Sequence, residues 1–225
     1  MHIHILDCDR VDPALLDIAG QYSDMFVSAF SACRPDWSFS IVETIHGQLP
    51  PIVAGDGYII TGSRADSFSD EPWVVALREW IRAAARADVN CVGICFGHQI
   101  IAHALGGKAE RAAAWGLGRM PAKAKGLPFE AAEILVSHRD QVTHLPPNAE
   151  HLMGSDFCTN FAFKSGRMIG VQGHPEFTPQ YSAALANARR ERIGDARVDQ
   201  ALESLKHPLN ADHVIEWLAC ELESA

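Results

Sequence analysis

The segment Gly93-Ile94-Cys95-Phe96-Gly97 constrains this chain more than any other. It closes an apolar run, residues 89–94, that reads as a buried strand. It opens residues 97–105, which read as a helix stopped by Gly106-Gly107. A strand that passes straight into a helix must turn sharply, and flanking glycines remove the Cβ atoms that would clash in such a turn. The central side chain, Cys95, is then lifted out at the carboxyl end of a sheet. A junction of this kind calls for strands linked by helices.

The first half of the chain supplies that alternation. Residues 2–6 form an apolar strand ending at Asp7-Cys8-Asp9. Asp12-Pro13 starts a helix whose apolar positions run from Leu15 through Tyr22 and Phe26 to Phe30, toward Cys33. Phe39, Ile41 and Val42 mark a second strand, and residues 57–63 a third that runs into a glycine-containing loop. Glu71-Pro72 opens a helix with Trp73, Val74, Leu77, Trp80, Ile81 and Ala84 on one face. This order predicts an α/β fold: an open, mixed but mainly parallel sheet with helices on both faces. In the second half, residues 109–125 contain Gly116, Gly118 and Pro121 and read as irregular or extended. Residues 134–137 read as a strand, and residues 161–172 as a hairpin around Lys164-Ser165-Gly166-Arg167. A helix is expected from 179 to about 192 and a last one from 211 to 223, with 193–208 the hardest stretch to assign. One domain spanning 1–225 is the economical reading, since 225 residues suit a large layered α/β unit.

Composition narrows the function. The net charge of −9 argues against nucleic acid as a main partner, because phosphate binding needs clustered cations. The cations that do cluster, Arg189, Arg190 and Arg192, read as a solvated helix face. Six scattered cysteines without a CxxC pair fit a reduced, cytoplasmic setting. The first residues lack the basic start of a signal peptide, and no apolar stretch reaches the length of a membrane span.

Chemistry concentrates at three places. Cys95 at a helix N-terminus meets backbone N–H groups and a dipole that favour an anionic sulfur, and the Phe96 N–H lies one residue on, ready for an oxyanion. For Cys8, Cys33, Cys91, Cys158 and Cys220 an inert cysteine is the ordinary reading; the glycine spacing sets Cys95 apart as a nucleophile. Val171-Gln172-Gly173-His174-Pro175-Glu176 follows a strand. His174 can take and return a thiol proton near neutral pH, and Glu176, two residues on in an extended segment, reaches the same side. Thr61-Gly62-Ser63 ends the preceding strand, where the Gly62 N–H either aims at the same oxyanion or belongs to an ordinary loop glycine.

Gly93-Ile-Cys-Phe-Gly-His-Gln99 with Ala104-Leu-Gly-Gly107 resembles the nucleophile segment of class I (triad) glutamine amidotransferases, and Gly170-Val-Gln-Gly-His-Pro-Glu176 resembles their His-Pro-Glu segment. The likeness extends over nearly the whole chain and points to stand-alone proteins related to the amidotransferase domain of GMP synthase. It implies a flavodoxin-like layering and a catalytic set of Cys95, His174 and Glu176, with Gly62 and Phe96 as oxyanion donors. It further implies that Gln99, Ser137 and His138 border the substrate, glutamine or a γ-glutamyl small molecule cleaved through a γ-glutamyl thioester. Two departures stand out. Gly173 replaces the family's usual phenylalanine, which either widens the pocket or is compensated by Phe177. The resemblance also leaves no synthetase portion within these residues, so the alternatives are an amidohydrolase, an ammonia-supplying subunit of a separate synthetase, or an idle regulatory scaffold.

The remaining candidates carry less. His2 with His4, and His98 with His103, read as structural or surface histidines, and no metal site is expected. Trp115 either lines a pocket mouth or packs a plain turn. Neither a P-loop nor a dinucleotide fingerprint occurs, so no cofactor is called for.

Overall fold

The computed structural model describes residues 1–224. The order is β1 (His2–Leu6), α1 (Leu16–Ala19), α2 (Tyr22–Cys33), β2 (Ser38–Val42), β3 (Gly57–Ile60), α3 (Pro72–Arg86), β4 (Asn90–Ile94) and α4 (Phe96–Ala104). Then follow β5 (Lys108–Ala124), β6 (Ala131–His144), β7 (Glu150–Gly154), β8 (Ala162–Ser165), β9 (Met168–Val171), α5 (Pro179–Ala188), α6 (Arg190–Ile193), α7 (Asp195–Ser204) and α8 (Ala211–Glu223). All nine strands join one sheet in the order β2-β1-β3-β4-β9-β8-β7-β5-β6. From β2 to β9 every pairing is parallel; from β9 to β6 every pairing is antiparallel.

Apart from the edge strand β2, the parallel half is buried on both faces, which is why β1, β3, β4 and β9 are apolar runs. Ile3, Ile5, Ile59, Val92 and Ile94 point to one side, against Phe26 and Phe30 of α2 and Val214, Trp217 and Leu218 of α8. Leu6, Tyr58, Ile60 and Cys91 point to the other, against Val74, Leu77 and Ile81 of α3 and Ile100 and Ile101 of α4. Each large apolar side chain so buried is worth about 1.5–3 kcal/mol, so α8 alone adds on the order of 10 kcal/mol before entropy is subtracted. The chain leaves β1 toward β2 by way of α2 and returns to β3, beyond which α3 covers the opposite face. That reversal between β1 and β3 opens a crevice at the carboxyl ends of the strands.

The structure refines three expectations. The helix expected from Asp12 is split: a 3-10 turn, Pro13–Leu15, and α1 end at Gly20, which has φ of +72°. There Gln21 and Asp24 form a capping box that restarts the helix as α2. Residues 109–125, read as irregular or extended, are the strand β5, paired with β6 over nearly its whole length. Its other edge meets β7 only at Lys123 and Ala124, and such a one-sided strand tolerates Pro121. Gly118, at φ of +83°, admits α7 against the strand: a Cβ there would lie 2.4 Å from Ser204 Oγ and 2.9 Å from Ala201 O. Helix α7 itself buries only Val198 and Ala201, too few apolar positions to mark it in the sequence. Among the described residues no helix is long and apolar enough to cross a membrane.

Candidate active site

Three neighbouring strands set the site. In β3, β4 and β9 the registers Ile60↔Gly93 and Gly93↔Gly170 bring the carboxyl ends side by side. The residues just past those ends, Gly62, Cys95 and His174, therefore meet at the floor of one cleft. The cleft has a cavity volume of about 80 Å³.

The elbow forms because nothing larger than glycine fits beside it. A Cβ on Gly93 would lie 2.4 Å from the Gly97 carbonyl, and one on Gly97 would lie 2.3 Å from Ile60 O. Helix α4 is thereby pressed onto the sheet. Cys95 takes φ of +54° and ψ of −98°, a conformation that costs a non-glycine residue on the order of 1–3 kcal/mol. Its N–H donates to Val171 O at 2.9 Å, which ties the turn to the next strand. Strain of this kind persists where surrounding structure over-determines it, and here the two glycine contacts and the bond to β9 do so.

His174 is buried and fixed on three sides. Its N–H donates to Leu135 O at 2.7 Å, pinning the segment to β6. Its Nδ1 lies 2.7 Å from Glu176 Oε1, so Nδ1 carries the proton donated to the carboxylate and Nε2 is free to serve another atom. Its ring stacks on Phe177, with centroids 3.9 Å apart and planes 6° apart. Burial alone would push the imidazole pKa down; the charges of Glu176 and of Cys95, with the hydrogen bond to Glu176, outweigh it and raise the value to about 10. The arrangement favours an imidazolium at His174, next to the Cys95 side chain on the cleft floor.

Gly62 packs between both groups: a Cβ there would lie 3.0 Å from His174 Cε1 and 3.8 Å from Cys95 Cβ. The N–H groups of Gly62 and Phe96 donate to no acceptor among the described residues, Phe96 because it is the first residue of α4. Gln99 is held rigid, its Nε2 donating to Asp140 O at 2.8 Å and Gln172 Oε1 at 3.1 Å. Ser137 and His138 also line the cleft. Ser137 Oγ accepts from Arg189 Nη1 at 2.9 Å. His138 shares its Nδ1 proton with Asp140 O at 3.1 Å, and burial lowers its pKa to about 4, so it is neutral. These residues come from β6 where β5 bulges: Arg111 pairs with Asp140 and Gly116 with His138, leaving residues 112–115 to loop out.

The sequence reading missed part of this cleft. Arg189 and Arg192, read there as a solvated face, line the cleft, while Arg190 does pair outward with Asp195 and Asp199. The i, i+3 spacing of 189 and 192 was the available signal. Trp115 lies at the cleft with Arg192 Cζ 5.0 Å from its ring centroid. Tyr22, from α2, was not anticipated. Gly173 does not widen the pocket: a Cβ there would meet Ile134 Cδ1 at 2.5 Å and Phe161 Cζ at 2.8 Å, so core side chains already fill that space, and Phe177 supplies the ring beside His174. His98 is buried against Phe163, and His2 and His4 bond Ser38, Ser40 and Asp56 at the far end of the sheet.

Comparison with known proteins bears on the family and the fold. The family model "Glutamine amidotransferase class-I" matches residues 15–188. Gamma-glutamyl peptidase 3 of Arabidopsis thaliana is 34% identical over 179 residues, covering 72% of this chain and 71% of that protein. GMP synthase of Thermomicrobium roseum is 29% identical over 187 residues, which is 75% of this chain and 34% of the synthase. A crystal structure of a glutamine amidotransferase from Thermotoga maritima superposes with a TM-score of 0.75 at 16% identity, covering 99% of this chain and 96% of that one.

Proposed function

Because the chain belongs to the class I glutamine amidotransferase family, we propose that it hydrolyses a γ-glutamyl amide bond through a thioester on Cys95, with His174 and Glu176 completing a triad. The observation that carries this reading is the buried His174, bound to Glu176 at 2.7 Å and sharing the cleft floor with Cys95. The Cys95 thiol passes its proton to His174 as the sulfur attacks the γ-carbonyl carbon, and the carbonyl π electrons move to oxygen. The N–H groups of Gly62 and Phe96 receive that oxyanion; such donors are worth about 3–4 kcal/mol in the transition state. The C–N bond then breaks as His174 gives its proton to the departing nitrogen. Water, losing a proton to His174, attacks the thioester; glutamate leaves and the sulfur is restored. Gln99, with its Nε2 bonded away and Oε1 free, and His138, neutral at the cleft wall, border the γ-glutamyl portion.

Similarity over 71% of the length of a γ-glutamyl peptidase supports a γ-glutamyl peptide ahead of glutamine itself as the substrate. The test is glutamate release from glutamine and a panel of γ-glutamyl amines and peptides, by the wild type and Cys95→Ser in parallel. Release by the wild type alone, highest with a peptide, is the expected result. Silence on every compound, lifted by adding a synthetase, would instead support an ammonia-supplying subunit.

A further inference from the structure

Five arginines line the cleft in a chain whose net charge is −9. Two are neutralised: Arg64 clasps Asp9 through Nε and Nη2, and Arg111 pairs with Asp140 and Asp66. The other three have no carboxylate within salt-bridge distance among the described residues. Arg189 donates to the neutral hydroxyl of Ser137, Arg139 to the Ala112 carbonyl, and Arg192 lies over the Trp115 ring. Three guanidinium groups without a carboxylate partner thus share one cleft, and guanidinium is the side chain best matched to a carboxylate.

Their position assigns the anion to the departing side of the bond. The leaving nitrogen collects its proton from His174, so the amine departs past that ring. Beyond His174 come Phe177, at 3.9 Å between centroids, then Tyr181 at 4.8 Å from Phe177, and Tyr22. Arg189 is close enough to Tyr22 and Tyr181 that its charge acts on both hydroxyls. The chain then turns into α6, which carries Arg192.

We infer that Arg189, Arg192 and Arg139 form a carboxylate cradle that selects γ-glutamyl peptides whose amine portion ends in a free carboxylate, over neutral γ-glutamyl amides and glutamine. The inference rests on the γ-glutamyl reading of the site. All such substrates share the glutamyl α-carboxylate, so that group is an internal control.

The experiment is a ratio: kcat/KM for a γ-glutamyl dipeptide with a free carboxyl terminus, divided by kcat/KM for its C-terminal amide. The wild type should favour the free carboxylate about tenfold or more, less so at high salt, where exposed charges are screened. Arg192→Gln and Arg189→Gln should each lower the ratio about fivefold, and Arg192→Lys should retain part of it. A wild-type ratio near one overturns the proposal. So does a proportional loss on both compounds, which would mean that these arginines hold the shared glutamyl portion or the fold. A second arm separates this idea from the hydrolytic reading: calorimetric titration of Cys95→Ala with the dipeptide and its amide. Tighter binding of the carboxylate form, with the preference reduced about fivefold in Cys95→Ala/Arg192→Gln, supports the cradle even if no compound is turned over. Indistinguishable binding of the two compounds overturns it.

Discussion

Replacing Gly62 by alanine should cripple the site while leaving the fold intact. Gly62 does not have a positive φ, so alanine is conformationally acceptable there. The new methyl would sit 3.0 Å from His174 Cε1, where carbon atoms prefer about 3.5–4.0 Å. Roughly half an ångström must be found. The ring cannot easily retreat, because Phe177 stacks behind it and Glu176 holds Nδ1 at 2.7 Å. A misplacement of 1 Å costs about 10²-fold in rate, so a shift of about half that should lower kcat about tenfold or more. The N–H of residue 62 is retained, so the loss reports imidazole position and not a missing donor. The stability cost should stay near 1 kcal/mol, or about 2–4 °C in Tm for a chain of this size. The assay pairs glutamate-release kinetics with thermal unfolding. Full activity in Gly62→Ala, or a loss explained by unfolding, would refute the placement of His174 against Gly62.

Other perturbations follow from the same contacts. Gly97→Ala drives a Cβ to 2.3 Å from a backbone carbonyl of β3, which neither α4 nor the sheet can yield cheaply; denaturant unfolding should show a loss of about 3 kcal/mol or more, or no soluble fold at all. Gly173→Phe should destabilise by about 1–3 kcal/mol because Ile134 and Phe161 occupy the space; a neutral or stabilising result by denaturant titration would contradict that packing. Burial lowers the pKa of His98 to about 3 and of His138 to about 4, so the unfolded chain binds protons that the folded chain refuses. Their contribution is therefore complete above about pH 6.5 and lost as pH falls toward 3, at up to about 1.4 kcal/mol per pH unit for each; His98→Gln should flatten the acid limb of a stability–pH curve. His174 has the opposite sign. Its pKa is raised to about 10, so its contribution is complete below about pH 6.5 and lost as pH rises through 10; Glu176→Gln should move that loss to lower pH and cut kcat by about 10²–10⁴.

The parallel core was readable because its inner strands are buried on both faces and announce themselves by composition, as Ile59 and Ile60 do. The cysteine elbow was readable because steric exclusion writes glycine into fixed positions, and His174 and Glu176 because the acid and the base are two residues apart in one segment. What stayed hidden depends on partners far away in the chain. β5 holds its line through pairing with β6, despite Gly116, Gly118 and Pro121, and α7 exists through two buried residues and a glycine groove. Arg189 and Arg192 look like any solvated pair until α5 and α6 are laid beside β6. Ser137 was assigned to the substrate wall, and it does line the cleft, but its hydroxyl is engaged by Arg189, a link across 52 positions that no local pattern encodes.

The most direct test is to mix the protein with its best γ-glutamyl peptide, quench in acid within the first turnover, and map the adduct by peptide mass. A glutamyl increment on the peptide containing Cys95, absent from Cys95→Ser and accumulating in Glu176→Gln if water attack is slowed, is the expected result. Glutamate release that persists in Cys95→Ser, or an adduct on any other cysteine, would contradict the assignment of Cys95 as the nucleophile.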